Sequence, residues 1–137
     1  MPLKQDDAML ARARRLLSDQ RTRGRKDGVV LGYTLADVRQ LLAEHPLCTY
    51  CRSPLSFAAS LDHRTPISRR GRHALDNLAV CCCRCNAMKG MLTEAEFREV
   101  LMLLAHLHPI ARQDLERRLL AGGKRYAGRR GRRTEAI

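Results

Sequence analysis

The chain lacks any apolar run approaching the ~20 residues needed to cross a bilayer. Its opening, with Lys4, Asp6 and Asp7, has no signal-peptide core. These absences argue against a membrane-spanning helix and lead us to expect a soluble, cytoplasmic protein. Acidic residues are also scarce, with 14 Asp+Glu against 26 Lys+Arg and a formal net charge of +12. Such an excess says little about fold, but it attracts polyanions and speeds encounter with them. Nucleic acid is the first candidate partner and an anionic membrane surface the second. No internal repeat is visible, so the 137 residues read as one domain with extensions. A core of that size has little stability to spare, and a structural metal would help it. There is no recognisable helix-turn-helix or base-reading helix, which implies weak sequence preference and salt-sensitive binding.

Helical periodicity is clear at both ends. Met9, Leu10, Ala13, Leu16 and Leu17 recur at helical spacing among Arg12, Arg14 and Arg15. The stretch from Arg21 to Gly28 is rich in charge and glycine and reads as a flexible linker. Thr34, with Asp37 three residues on, predicts a helix start, and His45-Pro46 its end. Brief strands are expected around Leu61 and over Leu78–Val80. Thr93 with Glu96 opens a further helix carrying Phe97, Val100, Leu101 and Leu104 on one face. Pro109 suits the first turn of a last helix, and Gly122-Gly123 its end.

Six cysteines in a reducing compartment are thiols or metal ligands rather than disulfides. Cys48-Thr-Tyr-Cys51 and Cys82-Cys-Arg-Cys85 are two Cys-x2-Cys knuckles, the spacing that presents two thiolates to one Zn2+. Cys82 is preferred within the Cys81-Cys82-Cys83 run because it makes that spacing to Cys85; Cys81 and Cys83 are then packing or spare thiols. An all-cysteine zinc site is coordinatively closed and holds structure rather than substrate. A zinc-dependent deaminase is excluded on the same ground, since it needs an open position and a glutamate beside a ligand.

Chemistry must then come from the segment between the knuckles. It contains Asp62-His63-Arg64, then Arg69, Arg70, Gly71 and Arg72, then Asn77-Leu78, with Asn86 and Lys89 after the last cysteine. Phosphodiester hydrolysis needs a base for water, a cation on the phosphate and donors to hold the backbone. His63 has the right intrinsic acidity for the base, and Asp62 and Asn86 offer hard oxygens of the kind Mg2+ takes. Arg64, Arg69, Arg70, Arg72 and Lys89 are candidate nucleic-acid-binding residues.

In these residues the chain resembles the HNH endonuclease family. That pattern runs Asp-His, proline three residues after the His, a glycine-containing loop, Asn-Leu, then Cys-x2-Cys-(His/Asn)-x2-Lys-Gly. Here it is supplied by Asp62, His63, Pro66, Gly71, Asn77, Leu78, Cys82, Cys85, Asn86, Lys89 and Gly90. The third letter is Asn86 rather than His, Arg70 stands where glycine is common, and Thr65 where a β-branched apolar residue is.

The resemblance implies an α+β fold with a ββα-metal, treble-clef-like core: a short hairpin carrying Asp62-His63 and Asn77, then a helix starting near Asn86, with N- and C-terminal helices flanking it. It implies His63 as general base, Asn77 as the brace that orients it, and Asp62 and Asn86 as ligands of a catalytic Mg2+ or Mn2+. It further implies DNA, most readily double-stranded, as substrate, with 5′-phosphate and 3′-hydroxyl products. A single site would nick, and a homodimer would be needed for a double-strand break. The expected organisation is a basic helical extension over 1–46 with a linker near 21–33, the core over 47–92, helices over 93–123 and a basic disordered tail over 124–137. That tail is either an unstructured end or a phosphate-tracking arm. The rival reading is a non-catalytic zinc-stapled nucleic-acid-binding module, a packaging or recombination accessory, which would not need Asp62, His63 and Asn86 together. His73 is read as a bystander, and His106 and His108 as capping groups.

Overall fold

A two-stranded antiparallel sheet lies between two helical layers, giving a mixed α+β architecture. The computed structural model describes residues 2–55 and 59–135, with side chains described over 5–55 and 59–123. The order is α1 (Pro2–Lys26), α2 (Leu35–Glu44), β1 (Ala59–His63), β2 (Leu78–Cys82), α3 (Cys83–Lys89), α4 (Glu94–Ala105) and α5 (Pro109–Glu135). Short 3-10 turns at Ile67–Arg69 and Leu75–Asn77 shape the loop between the strands. The register pairs Ala59 with Cys82, Leu61 with Val80 and His63 with Leu78.

Alternation along each strand divides the core in two. Ala59, Leu61, Leu78 and Val80 pack against Ala13, Leu16 and Leu17 of α1 and Val38 and Leu42 of α2. Ala79 and Cys81 turn the other way, onto Cys85 and Met88 of α3 and Phe97 of α4. Both predicted capping boxes are present: the Thr34 side chain accepts from Asp37 N–H and the Thr93 side chain from Glu96 N–H, with each acid reaching back to its cap backbone. His106 caps the end of α4, and His108 Nδ1 accepts from Ile110 N–H.

Three boundaries differ from the sequence reading. The linker expected near 21–33 is helical as far as Lys26, because the buried stripe of Ala13, Leu17 and Gln20 continues to Gly24. Gly24 packs against Val29 and Leu31, where an added Cβ would lie 3.0 Å from the Val29 carbonyl. The helix then closes on a Schellman motif: Val29 N–H donates to Gly24 O (2.8 Å), Gly28 N–H to Arg25 O (3.2 Å), and Gly28 takes φ +70°. Asp27 is therefore the C-cap residue of α1.

The helix expected to end at Gly122-Gly123 runs on to Glu135. Gly123 is a packing position rather than a stop, since a Cβ there would sit 1.8 Å from the Ala87 carbonyl of α3. The Arg, Ala and Lys residues beyond it are good helix formers. The side chains that would make this segment a phosphate-tracking arm lie outside the described residues. Finally, α3 begins at Cys83 rather than near Asn86, because the Cys82 Sγ caps it by accepting from Cys85 N–H at 3.3 Å.

Candidate active site and metal centre

The two knuckles converge at the far end of the hairpin from His63. The Sγ atoms of Cys48, Cys51, Cys82 and Cys85 all lie within 4.8 Å of one another, with Cys51 and Cys82 at 3.9 Å. A tetrahedral zinc with Zn–S near ~2.3 Å sets its sulfurs about 3.8 Å apart, so the cluster fits that ion. Backbone amides support the sulfurs: Cys82 N–H donates to Cys48 Sγ and Cys85 N–H to Cys82 Sγ. Burial, with the neighbouring sulfurs, pushes the Cys82 and Cys85 thiols up. For Cys51 burial also opposes ionisation, but hydrogen bonds with Ser53 outweigh it and hold the thiol at about 7. A dication among the four sulfurs would relieve the crowding that raises Cys82 and Cys85. Cys81 is outside the cluster and fully buried in the α3/α4 half of the core, and Cys83 is exposed.

Asp62 and His63 end β1 and present to opposite faces. Asp62 is buried beneath α3, where Oδ2 accepts from the Tyr50 hydroxyl at 2.5 Å and Oδ1 from Lys89 Nζ at 3.2 Å. Burial raises its carboxyl, and Tyr50 and Lys89 pull it back. Tyr50 is itself raised, by burial and then by the adjacent carboxylate, so it remains a donor. Its ring stands edge-on to Phe97 at 5.0 Å. Lys89 also donates to the His63 carbonyl at 2.9 Å and is 1% exposed. It was expected to meet phosphate; instead it is an internal strut. The cause is position: Lys89, on the last turn of α3, faces the buried Asp62.

Asn77 closes the loop between the strands. Its Oδ1 accepts from Thr65 N–H at 2.9 Å, while Nδ2 donates to Thr65 O at 3.0 Å and Arg72 O at 2.9 Å. Asn86 Nδ2 donates to Ser60 Oγ at 2.7 Å, on the same face of β1 as Asp62. Among the described residues, the cysteine cluster is the one gathering of three or more Cys, His, Asp or Glu ligand atoms.

The loop arginines separate by partner. Arg64 pairs with Glu94 at 2.8 Å and Arg69 with Glu96, which ties the loop to the start of α4. Arg72 pairs with Asp76 within the loop, and both are largely exposed. Arg70 adopts φ +69° at the end of the first 3-10 turn, where the family more commonly has glycine. It is exposed and makes no side-chain pair among the described residues. On the other face, the His63 ring meets the ring of His73 at 5.5 Å, nearly perpendicular. His73 Nε2 lies 2.8 Å from Asp27 Oδ2, a contact that sequence order, with the two 46 positions apart, did not signal.

A family model of the HNH endonuclease matches residues 48–91. That segment, about a third of the chain, is similar to the HNH endonuclease family. It begins at the first zinc-knuckle cysteine and ends one residue past Gly90, so it takes in both strands, the loop and α3. The α1–α2 layer, α4 from Glu94 onward and α5 lie outside the HNH segment, though α1, α2 and α4 pack against it on its two faces. No curated protein and no solved structure matches the chain.

Proposed function

We propose that this protein is a metal-dependent HNH endonuclease that hydrolyses phosphodiester bonds in DNA. The observation that carries this reading is the arrangement at the end of β1. The Asp62-His63 pair is held there by Lys89 of α3, beside a loop that Asn77 clasps through three hydrogen bonds. In this reading His63 accepts a proton from the attacking water, and Asn77 keeps the loop in the shape that orients it. Asp62 and Asn86 would hold a Mg2+ or Mn2+, which supplies charge stabilisation at the scissile phosphate. Each carboxylate oxygen of Asp62 has one known donor and a second lone pair, so Lys89 and Tyr50 do not exhaust its capacity.

Arg70 is the foremost phosphate contact of the loop, with Arg72 beside it. Arg64 and Arg69 reach phosphate only by leaving Glu94 and Glu96, a small cost for surface pairs of this kind. The zinc cluster holds the hairpin to α3 and takes no part in the reaction. One such site cuts one strand, so a monomer nicks and a second copy is needed for a double-strand break.

The decisive experiment is cleavage of supercoiled plasmid with Mg2+ or Mn2+, against EDTA, by wild type and His63→Ala. Metal-dependent nicking that disappears in His63→Ala at unchanged zinc content is the expected result. The second reading, a zinc-stapled binding module, is favoured by one observation: Asp62 is buried with a donor on each oxygen, as a purely structural carboxylate would be. A folded, zinc-loaded wild type that binds plasmid but cuts no duplex, single-stranded or RNA substrate would establish that reading instead.

A further inference from the structure

The HNH segment contains His63 and His73, but the carboxylate beside His73 comes from outside it. Asp27 is the C-cap residue of α1, placed by the Schellman closure at Gly28. A negative side chain is disfavoured at that end of a helix, where the macrodipole is already negative. Its position does not serve the helix; it serves the contact it makes. Asp27 Oδ2 lies 2.8 Å from His73 Nε2. A carboxylate oxygen can only accept, so Nε2 carries the hydrogen. The His73 side chain is 4% exposed and Asp27 41%, so the histidine is enclosed and its anchor stands at the rim. The His73 ring in turn stands edge-to-face with His63, centroids 5.5 Å apart and planes at 84°. The loop carrying His73 is fixed next door, where Asn77 Nδ2 holds the carbonyl of Arg72.

We propose that His73, oriented by Asp27, is a positioning residue for His63: it forms the wall that sets the ring plane of the base. The α1 extension is thereby part of the active site rather than an appendage to it. His73 Nε2 is taken by Asp27 and its Nδ1 makes no hydrogen bond among the described residues, so the action on His63 is steric and no proton passes between the rings. The proposal rests on the nuclease reading of His63.

The test uses the full-length, zinc-loaded chain with Asp27→Ala, Asp27→Asn, His73→Ala and the Asp27→Ala/His73→Ala pair. Plasmid nicking in saturating Mg2+ is expected to lose kcat by about 10- to 100-fold in His73→Ala, the scale of a misplaced catalytic group. KM should be unchanged. Asp27→Ala should show a smaller loss, and the double variant should be no slower than His73→Ala, because Asp27 acts through His73. Asp27→Asn retains an accepting oxygen and should restore most of the rate. Asp27→Ala relieves the helix C-terminus of a negative charge but leaves the enclosed His73 Nε2–H without its acceptor. Rates are therefore compared well below the Tm of every variant, where a kcat loss in fully folded Asp27→Ala separates positioning from simple stability. This arm stands even if His73→Ala unfolds.

The ring resonances of His63, observed by 1H–15N NMR without added Mg2+, should shift in both Ala variants and stay near wild type in Asp27→Asn. A wild type that nicks, with a folded His73→Ala or an Asp27→Ala that nicks at the same rate, overturns the proposal and leaves the nuclease reading standing. A wild type that never nicks overturns both.

Discussion

The ammonium of Lys89 lies 3.2 Å from Asp62 Oδ1 and 2.9 Å from the carbonyl of His63, so one buried cation holds both residues of the Asp-His pair to α3. Removing one partner of such a pair strands the other charge in the core. Lys89→Met is expected to cost about 3–5 kcal/mol of stability, read from urea unfolding with zinc saturating. Adding Asp62→Asn should recover part of that loss, because the stranded charge is gone. Unfolding midpoints equal to wild type in Lys89→Met would place this side chain at the surface.

The zinc assignment separates neighbouring cysteines. Cys82→Ser is expected to lose bound zinc and cooperative unfolding together, since metal-binding energy here is folding energy. Cys81→Ser buries a hydroxyl in the core but leaves the four ligands in place, so zinc content by elemental analysis should be retained. Zinc lost from Cys81→Ser and kept by Cys82→Ser would exchange their roles.

Asn77 uses both ends of its amide on the loop. Asn77→Asp keeps the acceptor for Thr65 N–H but turns the two donations, to Thr65 O and Arg72 O, into oxygen–oxygen repulsion. One of these bonds is part-buried and the other exposed, so each lost bond costs about 0.5–1.5 kcal/mol. Chemical denaturation should therefore show Asn77→Asp less stable than wild type, and plasmid nicking should fall with it. An Asn77→Asp protein matching wild type in both respects would remove the clasp from the account.

Acid should loosen the join between the loop and α4. The Thr93 backbone N–H, then Arg69, hold the Glu96 carboxyl down at about 2 from an ordinary 4.5. Glu94 is lowered as well: burial opposes this, but Arg64 and Arg98 prevail. A carboxyl with a depressed folded-state pKa adds stability above its unfolded value, and that contribution is lost as pH falls toward the folded one. Melting temperature is thus expected to decline between pH 4.5 and about 2, and Glu96→Gln to flatten that decline. An identical acid limb in the variant would show that Glu96 contributes nothing to it.

The local elements were legible because their causes are local. Thr34 with Asp37, and Thr93 with Glu96, mark helix starts through hydrogen bonds spanning three residues. The knuckles were legible because two residues between cysteines is a geometric requirement of the ion. Asn77 stood out through its place before Leu78, and the structure puts its amide against Thr65 and Arg72. Misreadings arose where a residue's role depends on what lies across from it. Gly24 and Gly123 read as breakers, but each is a point where another backbone comes too close for a Cβ. Lys89 read as a surface cation because nothing in its neighbourhood along the chain foretells Asp62 across from it.

By itself, then, the sequence determined the basic charge, the capped helices, the two Cys-x2-Cys pairs that could hold one metal ion and the order of the Asp-His, Asn and Cys-x2-Cys-Asn groups. Those properties are set by residue type and by spacings of a few positions. Tertiary structure decided which face of β1 each member of the Asp-His pair occupies, which arginines are committed to α4, and that Asp27 meets His73. Such outcomes depend on how the sheet is enclosed between α1–α2 and α3–α5. Contacts across 26 to 46 positions are fixed by packing, which no short spacing records.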